Sequence, residues 1–179
     1  MSTMNNFFAD CLKLPYKSNT QTNPEHENQV EDLLIKHKLS YISQPNGPQQ
    51  SPDFYVFYND KKYSIECKSS KGTCPTYNGG LPKPDSIYIF SSAKYNKTTI
   101  YNANDVVSDQ MRTLYEELLT EYSSVLEKYK NLPEWQDDPR GFDFYMRAMY
   151  TQKGGKLKTD YFEHKDRARC ENNVLTREY

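Results

Sequence analysis

A chain of 179 residues with a formal net charge of −1 has the length of one domain and enough material for a full core. The near-zero charge argues against a protein that coats nucleic acid indiscriminately, and no apolar run approaches a membrane span or a signal peptide. Four cysteines without C-x-x-C spacing and three histidines argue against a zinc site or a disulfide framework, so a reduced, cytoplasmic setting is expected.

Hydrophobic residues make up only 36% of the chain, but sixteen Tyr and eight Phe are among them, and each aromatic buries a large area. Charge is unevenly spread: seven Lys face three acids over 60–100, whereas nine acids face three bases over 105–138. A phosphate-attracting side and an acidic side follow if the fold keeps these segments apart.

Residues 1–22 read as an N-terminal arm with a short amphipathic turn at Phe7, Phe8, Cys11 and Leu12. Asn23-Pro24-Glu25 then signals a helix start, with Asn as cap, Pro at the first helical position and acids in the first turn. That helix is expected to reach about Lys38 with Val30, Leu33 and Leu34 inward, His26 on the surface and His37 at the core edge. Glu27 borders its buried face, and Glu31 lies one turn on. Leu39–Ser43 reads as a short strand. The turn-rich QPNGPQQ that follows offers the amides of Gln49 and Gln50, either as loop filler or as contacts to DNA.

The stretch SPDFYVFYNDKKYSIECKSS, 51–70, reads as a β-hairpin: two aromatic and β-branched runs around Asn59-Asp60-Lys61. Folding at that turn brings Asp53 level with Glu66. Alternation puts Glu66 and Lys68 on one face and Cys67 on the other. Two carboxylates and an ammonium therefore converge, a set that suits Mg²⁺, which keeps several waters and takes few protein oxygens.

Pro52-Asp53, a gap of twelve residues, then Glu66-Cys67-Lys68 resembles the PD-(D/E)XK nuclease superfamily, and the type II restriction endonucleases within it. The resemblance is firm over about 45 residues, from the first helix to Lys68. It implies a restriction-endonuclease-like α/β core, a central mixed sheet flanked by helices, in a single domain spanning 1–179. It also implies that Asp53, Glu66 and the Cys67 carbonyl hold Mg²⁺ (Mn²⁺ able to substitute), that Glu27 or alternatively Glu31 reaches the metal, and that Lys68 positions or deprotonates the attacking water. Double-stranded DNA would be the substrate, the protein a homodimer, and a cognate DNA methyltransferase its genetic rather than physical partner. Structure-specific nucleases, of the Holliday-junction or repair kind, and a non-catalytic DNA-binding protein on the same fold are the competing readings.

Beyond Lys68 the irregular segment 69–86 forms a candidate wall of a DNA cleft, with Ser69, Ser70 and Lys71 as phosphate contacts. IYIF, 87–90, reads as a buried strand, continuous as parallel core strands are, and Thr98–Tyr101 as another. Lys94 and Lys97 flank the turn between them as candidate backbone contacts. Apolar residues at helical spacing from Asp105 to Lys130 predict one long core-covering helix. Arg140 precedes an alternating run over 142–152, read as a strand with Arg147 on the face away from the even-numbered residues. The last core strand is 87–90 or 142–150. The basic-tinged segment 153–179 carries Lys153, Lys156, Lys158, Lys165, Arg167 and Arg169, and is either a DNA-recognition element, with Arg167 and Arg169 reading guanines, or a solvated helix with internal ion pairs.

Overall fold

The computed structural model describes residues 2–20, 22–152 and 161–179; Lys153, Lys156 and Lys158 of the basic segment lie outside the described residues. The centre is a mixed five-stranded sheet: β1 (Ser40–Ser43), β2 (Phe54–Tyr58), β3 (Lys61–Ser70), β5 (Ile87–Ser92) and β6 (Lys97–Asn102), in the spatial order β1-β2-β3-β5-β6. Only β3 and β5 run parallel; every other pairing is antiparallel. A small second sheet joins β4 (Thr76–Tyr77) to β7 (Tyr150–Thr151).

The β2–β3 hairpin turns on two residues, Asn59 and Asp60, both at positive φ (49° and 59°), the pattern of the turn whose twist matches the flanking strands. Lys61 is therefore already in β3, opposite Tyr58. Phe54 pairs with Ile65, which sets Asp53 opposite Glu66, the expected register.

Alternation gives the sheet two chemically different faces. Ile65, Cys67, Ile87, Ile89 and Ile100 point into a core that mixes aliphatic residues with Phe7, Phe8, Phe54 and Tyr63, closed by α1 (Thr3–Cys11), α2 (Glu25–Lys36) and Val174 of α6 (Arg167–Leu175). Tyr88, Phe90 and Tyr101 point the other way into an aromatic cluster with Tyr77, Tyr161 and Phe162. The continuous apolar run of β5 follows from burial on both faces, since all six of its residues are buried. This strand, and not 142–150, is the remaining strand of the core sheet.

Several expectations are corrected. The segment read as an arm contains α1, capped by Ser2, whose Met4, Phe7, Phe8 and Cys11 are fully buried. Asn5 Nδ2 donates to the Leu175 and Arg177 carbonyls at 2.7 and 3.1 Å, and the Phe8 ring stacks on Tyr179. Tyr179 also meets Tyr63 edge-on, and its backbone oxygen accepts from Asn59 Nδ2 at 2.9 Å. In α2, Pro24 occupies the cap position and no side chain caps the helix. His26, expected on the surface, is fully buried, with Nε2 3.1 Å from the Ile89 carbonyl. Its position four residues before Val30 puts it on the inward face.

The expected long helix is broken into α3 (Ala103–Val106) and α4 (Asp109–Lys130), where Ser108 caps α4 by accepting from the Met111 N–H. No residue of α4 is buried, so it is not the core-covering helix its periodicity predicted. After α5 (Pro133–Gln136), the run 142–149 forms no strand; only Tyr150–Thr151 pairs, with β4. α6 packs on β6, the last strand of the sheet. Among the described residues, no helix is long and apolar enough to cross a membrane.

Candidate active site

The site lies on the C-terminal half of β3, beside the loop that delivers the chain to β2. Glu66 and Lys68 share a face, as the strand period requires, and Lys68 Nζ donates to Glu66 Oε1 at 2.5 Å. The other oxygen of Glu66, Oε2, accepts the Ser51 hydroxyl at 2.9 Å. Asp53 approaches from the hairpin's open end, where its Oδ2 accepts the Cys67 backbone N–H at 2.6 Å. The loop behind it is closed by Gln44, whose N–H donates to the Asp53 carbonyl at 2.7 Å. The Cys67 side chain points into the core, and burial pushes its thiol well above the ordinary range.

Glu66 is only 7% exposed and Asp53 is half-buried. Burial, then the charges of Glu66 and Glu27, push Asp53 up to about 7, outweighing the Cys67 N–H and Lys68, which act the other way. Burial works to lower Lys68, but the charge and hydrogen bond of Glu66 overcome it and hold the ammonium above its usual value. Lys68 is thus a fixed cation. Glu27, on α2, is close enough to act on Asp53, and its Oε1 accepts from Asn19 Nδ2 at 2.7 Å. Glu31 instead faces Tyr41 on β1. The helix acid that borders the site is therefore Glu27.

Three carboxylates against one ammonium leave a local excess of negative charge, and Asp53 Oδ1 accepts no hydrogen bond among the described residues. Among those residues no group of three or more His, Cys, Asp and Glu side chains stands at metal-holding geometry. Mg²⁺ needs less than that, one or two carboxylates with waters completing the shell, so the donor set fits such an ion.

The candidate phosphate contacts gather at the same end of the sheet. Ser70 pairs with Ser92 and Ser92 with Lys97. The segment after β3 is pinned there: Ala93 N–H donates to the Ser70 carbonyl at 2.9 Å, and Ser92 Oγ to the Gly72 carbonyl at 2.6 Å. Lys71, Lys94 and Lys97 are exposed around this knot, with Ser69 and Ser70 half-buried beneath them. Ligands of open α/β sheets bind outside the carboxyl ends of parallel strands, and this is that end of β3 and β5. Gln49 and Gln50 lie exposed in the loop leading to Asp53.

The remaining arginines are elsewhere. Arg140 is exposed after α5, and Arg147, in no strand, donates from Nε to the Asn78 carbonyl at 3.3 Å. Arg167 donates to the Phe162 carbonyl and pairs with Glu171, while Arg169 pairs with Asp105 and Asp166. Internal ion pairs, the second of the two readings of this segment, describe α6. Ser51 and Asn19 were not singled out in the sequence. Ser51 carries a signal, since it directly precedes Pro52-Asp53 and so lies within reach of Glu66; Asn19 carries none. A cleft of about 840 Å³ opens between α4 and the aromatic cluster, but Asp53, Glu66 and Lys68 do not line it.

The chain matches no protein-family model, no curated protein and no solved structure.

Proposed function

We propose that this protein is a Mg²⁺-dependent DNA endonuclease with a restriction-endonuclease-like core, of the type II restriction kind. The observation that carries the reading is the triangle of Asp53, Glu66 and Lys68, drawn together by the Asp53–Cys67 and Lys68–Glu66 hydrogen bonds. A divalent cation held by Asp53, Glu66 and the Cys67 carbonyl would acidify a bound water and offset the charge that builds on the phosphate. Lys68, kept protonated by Glu66, orients the attacking water and screens the developing negative charge. Asp53 completes a donor set only as a carboxylate, so its raised proton affinity makes activity rise with pH through about 7. Lys71, Lys94 and Lys97, with Ser69 and Ser70, hold the flanking phosphates by charge and hydrogen bonds.

The test is cleavage of a plasmid and of a synthetic four-way junction, each with Mg²⁺ or EDTA, by wild type, Asp53→Ala and Lys68→Ala. Discrete Mg²⁺-dependent plasmid fragments, reduced at least ~100-fold in both variants, are expected. Cutting of the junction alone would move the reading to a structure-specific nuclease. Undiminished cleavage by Asp53→Ala would overturn the site.

A further inference from the structure

The sheet face that carries Glu66 and Lys68 continues past the candidate active site. Alternation along β2 and β3 sends Phe54, Val56, Tyr63 and Ile65 into the core and Tyr55, Phe57, Lys62 and Ser64 the other way, the way Glu66 and Lys68 face. Ile42 of β1 joins them, paired with Tyr55. Over β5 and β6 this face is covered, where Tyr88, Phe90 and Tyr101 meet Tyr77, Tyr161 and Phe162. Over β1, β2 and the first half of β3 it is open. Ile42 is 50% and Phe57 38% exposed, Lys62 is exposed, and Tyr55 and Ser64 are half-buried. α2 meets β3 from the opposite, core side.

The open patch is aromatic and basic. Lys62 stands opposite Phe57 and holds its Nζ 4.2 Å from the centre of the Tyr55 ring, a diagonal cross-strand contact. Lys61 is exposed beside it, next to Asp60 of the turn. At the rise of a strand, Tyr55 lies ~7 Å and Phe57 ~13 Å along the chain from Asp53, so the rings lead directly away from the site. Rings set on a sheet with cations among them suit nucleobases, which present a π-face whatever their identity. In a duplex those faces are stacked on one another, whereas unpaired bases can splay onto a ring. A base stacks on an aromatic ring more strongly than an exposed ammonium holds it, so a base would displace Lys62 and leave its charge to a neighbouring phosphate. A protein partner fits less well. Ile42, Tyr55 and Phe57 offer on the order of 300 Å², against the roughly 800 Å² that each partner gives to a stable interface.

We propose that Tyr55 and Phe57, with Ile42 and Lys62 beside them, form a stacking platform for single-stranded DNA adjoining the candidate active site. The choice of DNA rests on the nuclease reading; the stacking of unpaired bases does not.

Fluorescence anisotropy in EDTA tests it, with an oligothymidylate of about twelve nucleotides, a blunt duplex of the same length and an oligouridylate as probes. Tyr55→Ala and Phe57→Ala should each weaken oligothymidylate binding about tenfold and leave duplex binding unchanged. Tyr55→Phe should bind as wild type does, because the ring and not the hydroxyl stacks. Lys62→Ala should lower the slope of log affinity against log salt by about 0.7. Superimposable far-UV circular dichroism spectra exclude unfolding as the cause of any loss. A wild type that binds no oligothymidylate would overturn the proposal, as would binding that Tyr55→Ala/Phe57→Ala leaves intact, or equal losses on oligothymidylate and duplex. Tighter binding of oligouridylate would overturn the choice of DNA. A mass in gel filtration above that of the single chain, lowered by Phe57→Ala, would give the face to a protein contact instead. No readout requires cleavage. Oligothymidylate bound through Tyr55 and Phe57 by a protein that cuts no plasmid would sink the nuclease reading alone, and plasmid cutting without a platform effect would sink the platform alone.

Discussion

Asp53 is held by a backbone group of the strand that carries its two partners: its Oδ2 accepts the Cys67 N–H at 2.6 Å, one residue from Glu66 and one from Lys68. The distance between the acids is thereby set by strand geometry rather than by flexible side chains. The same closeness raises the proton affinity of Asp53, so positioning and electrostatic cost have one origin.

That cost is visible as pH-dependent stability. Asp53 is raised from 3.8 to about 7 in the folded chain. Between those values the folded state holds a proton that the unfolded state has lost, so the contribution is complete below about pH 4 and disappears as pH rises through 7. Asp53→Asn keeps an acceptor for the Cys67 N–H and removes the titration. At pH 8 it should unfold at a higher temperature than wild type, by on the order of 2 kcal/mol or roughly 4–8 °C. At pH 4 the two should coincide. Thermal unfolding from pH 4 to 8 measures this, and a variant less stable at pH 8 would contradict it.

Cation binding should relieve the same repulsion. At pH 8, Mg²⁺ at ten times its dissociation constant should stabilise the wild type by about 1.4 kcal/mol, a rise of roughly 3–5 °C. EDTA should reverse the gain, and Asp53→Ala/Glu66→Ala should show none. Equal Mg²⁺ shifts in both proteins would locate the ion elsewhere.

On the side proposed to face DNA, Lys71 and Lys97 are exposed beside the site, whereas Arg167 and Arg169 are committed to Glu171, Asp105 and Asp166. Lys71→Ala and Lys97→Ala should each weaken DNA binding and lower the slope of log affinity against log salt by about 1. Arg169→Ala should leave that slope unchanged. Binding titrations over a salt series in Ca²⁺ distinguish the two groups of residues.

Removing Phe8, fully buried against Tyr179, should cost about 3–5 kcal/mol as Phe8→Ala. Denaturant unfolding gives the value directly. A loss under 1 kcal/mol would mean that α1 is peripheral after all.

The hairpin was legible because its information is local. Asn59 and Asp60 dictate a turn, the turn dictates the register, and the register pairs Asp53 with Glu66. What failed depended on distant partners. The spacing of Met4, Phe7, Phe8 and Cys11 announces a helical face, but its partners lie on α2, on β6 and at Leu175–Tyr179, some 170 positions away. His26 lies on the Val30 face of α2, where the distant Ile89 carbonyl meets one nitrogen of its buried imidazole. In α4 the helical period holds but burial does not follow, because periodicity reports an apolar face and not what meets it. The alternation over 142–150 failed for a related reason, since a period of two names a strand's faces and not the edge it would pair with.

Tyr179 touches Phe8 of α1, Tyr63 of β3 and, through its backbone oxygen, Asn59 at the hairpin turn. This has a consequence for the order of folding. The hairpin closes a loop of a few residues and can form within about 1–10 µs, whereas its anchor closes a loop of 120 residues, a slow kind of contact. The two acids of the site therefore meet early on an unsupported ribbon. They acquire a fixed frame only when the most distant part of the chain arrives, so a refolding experiment that follows both Mg²⁺ binding and Tyr179 burial should see the two signals rise together, well after the first strands have paired.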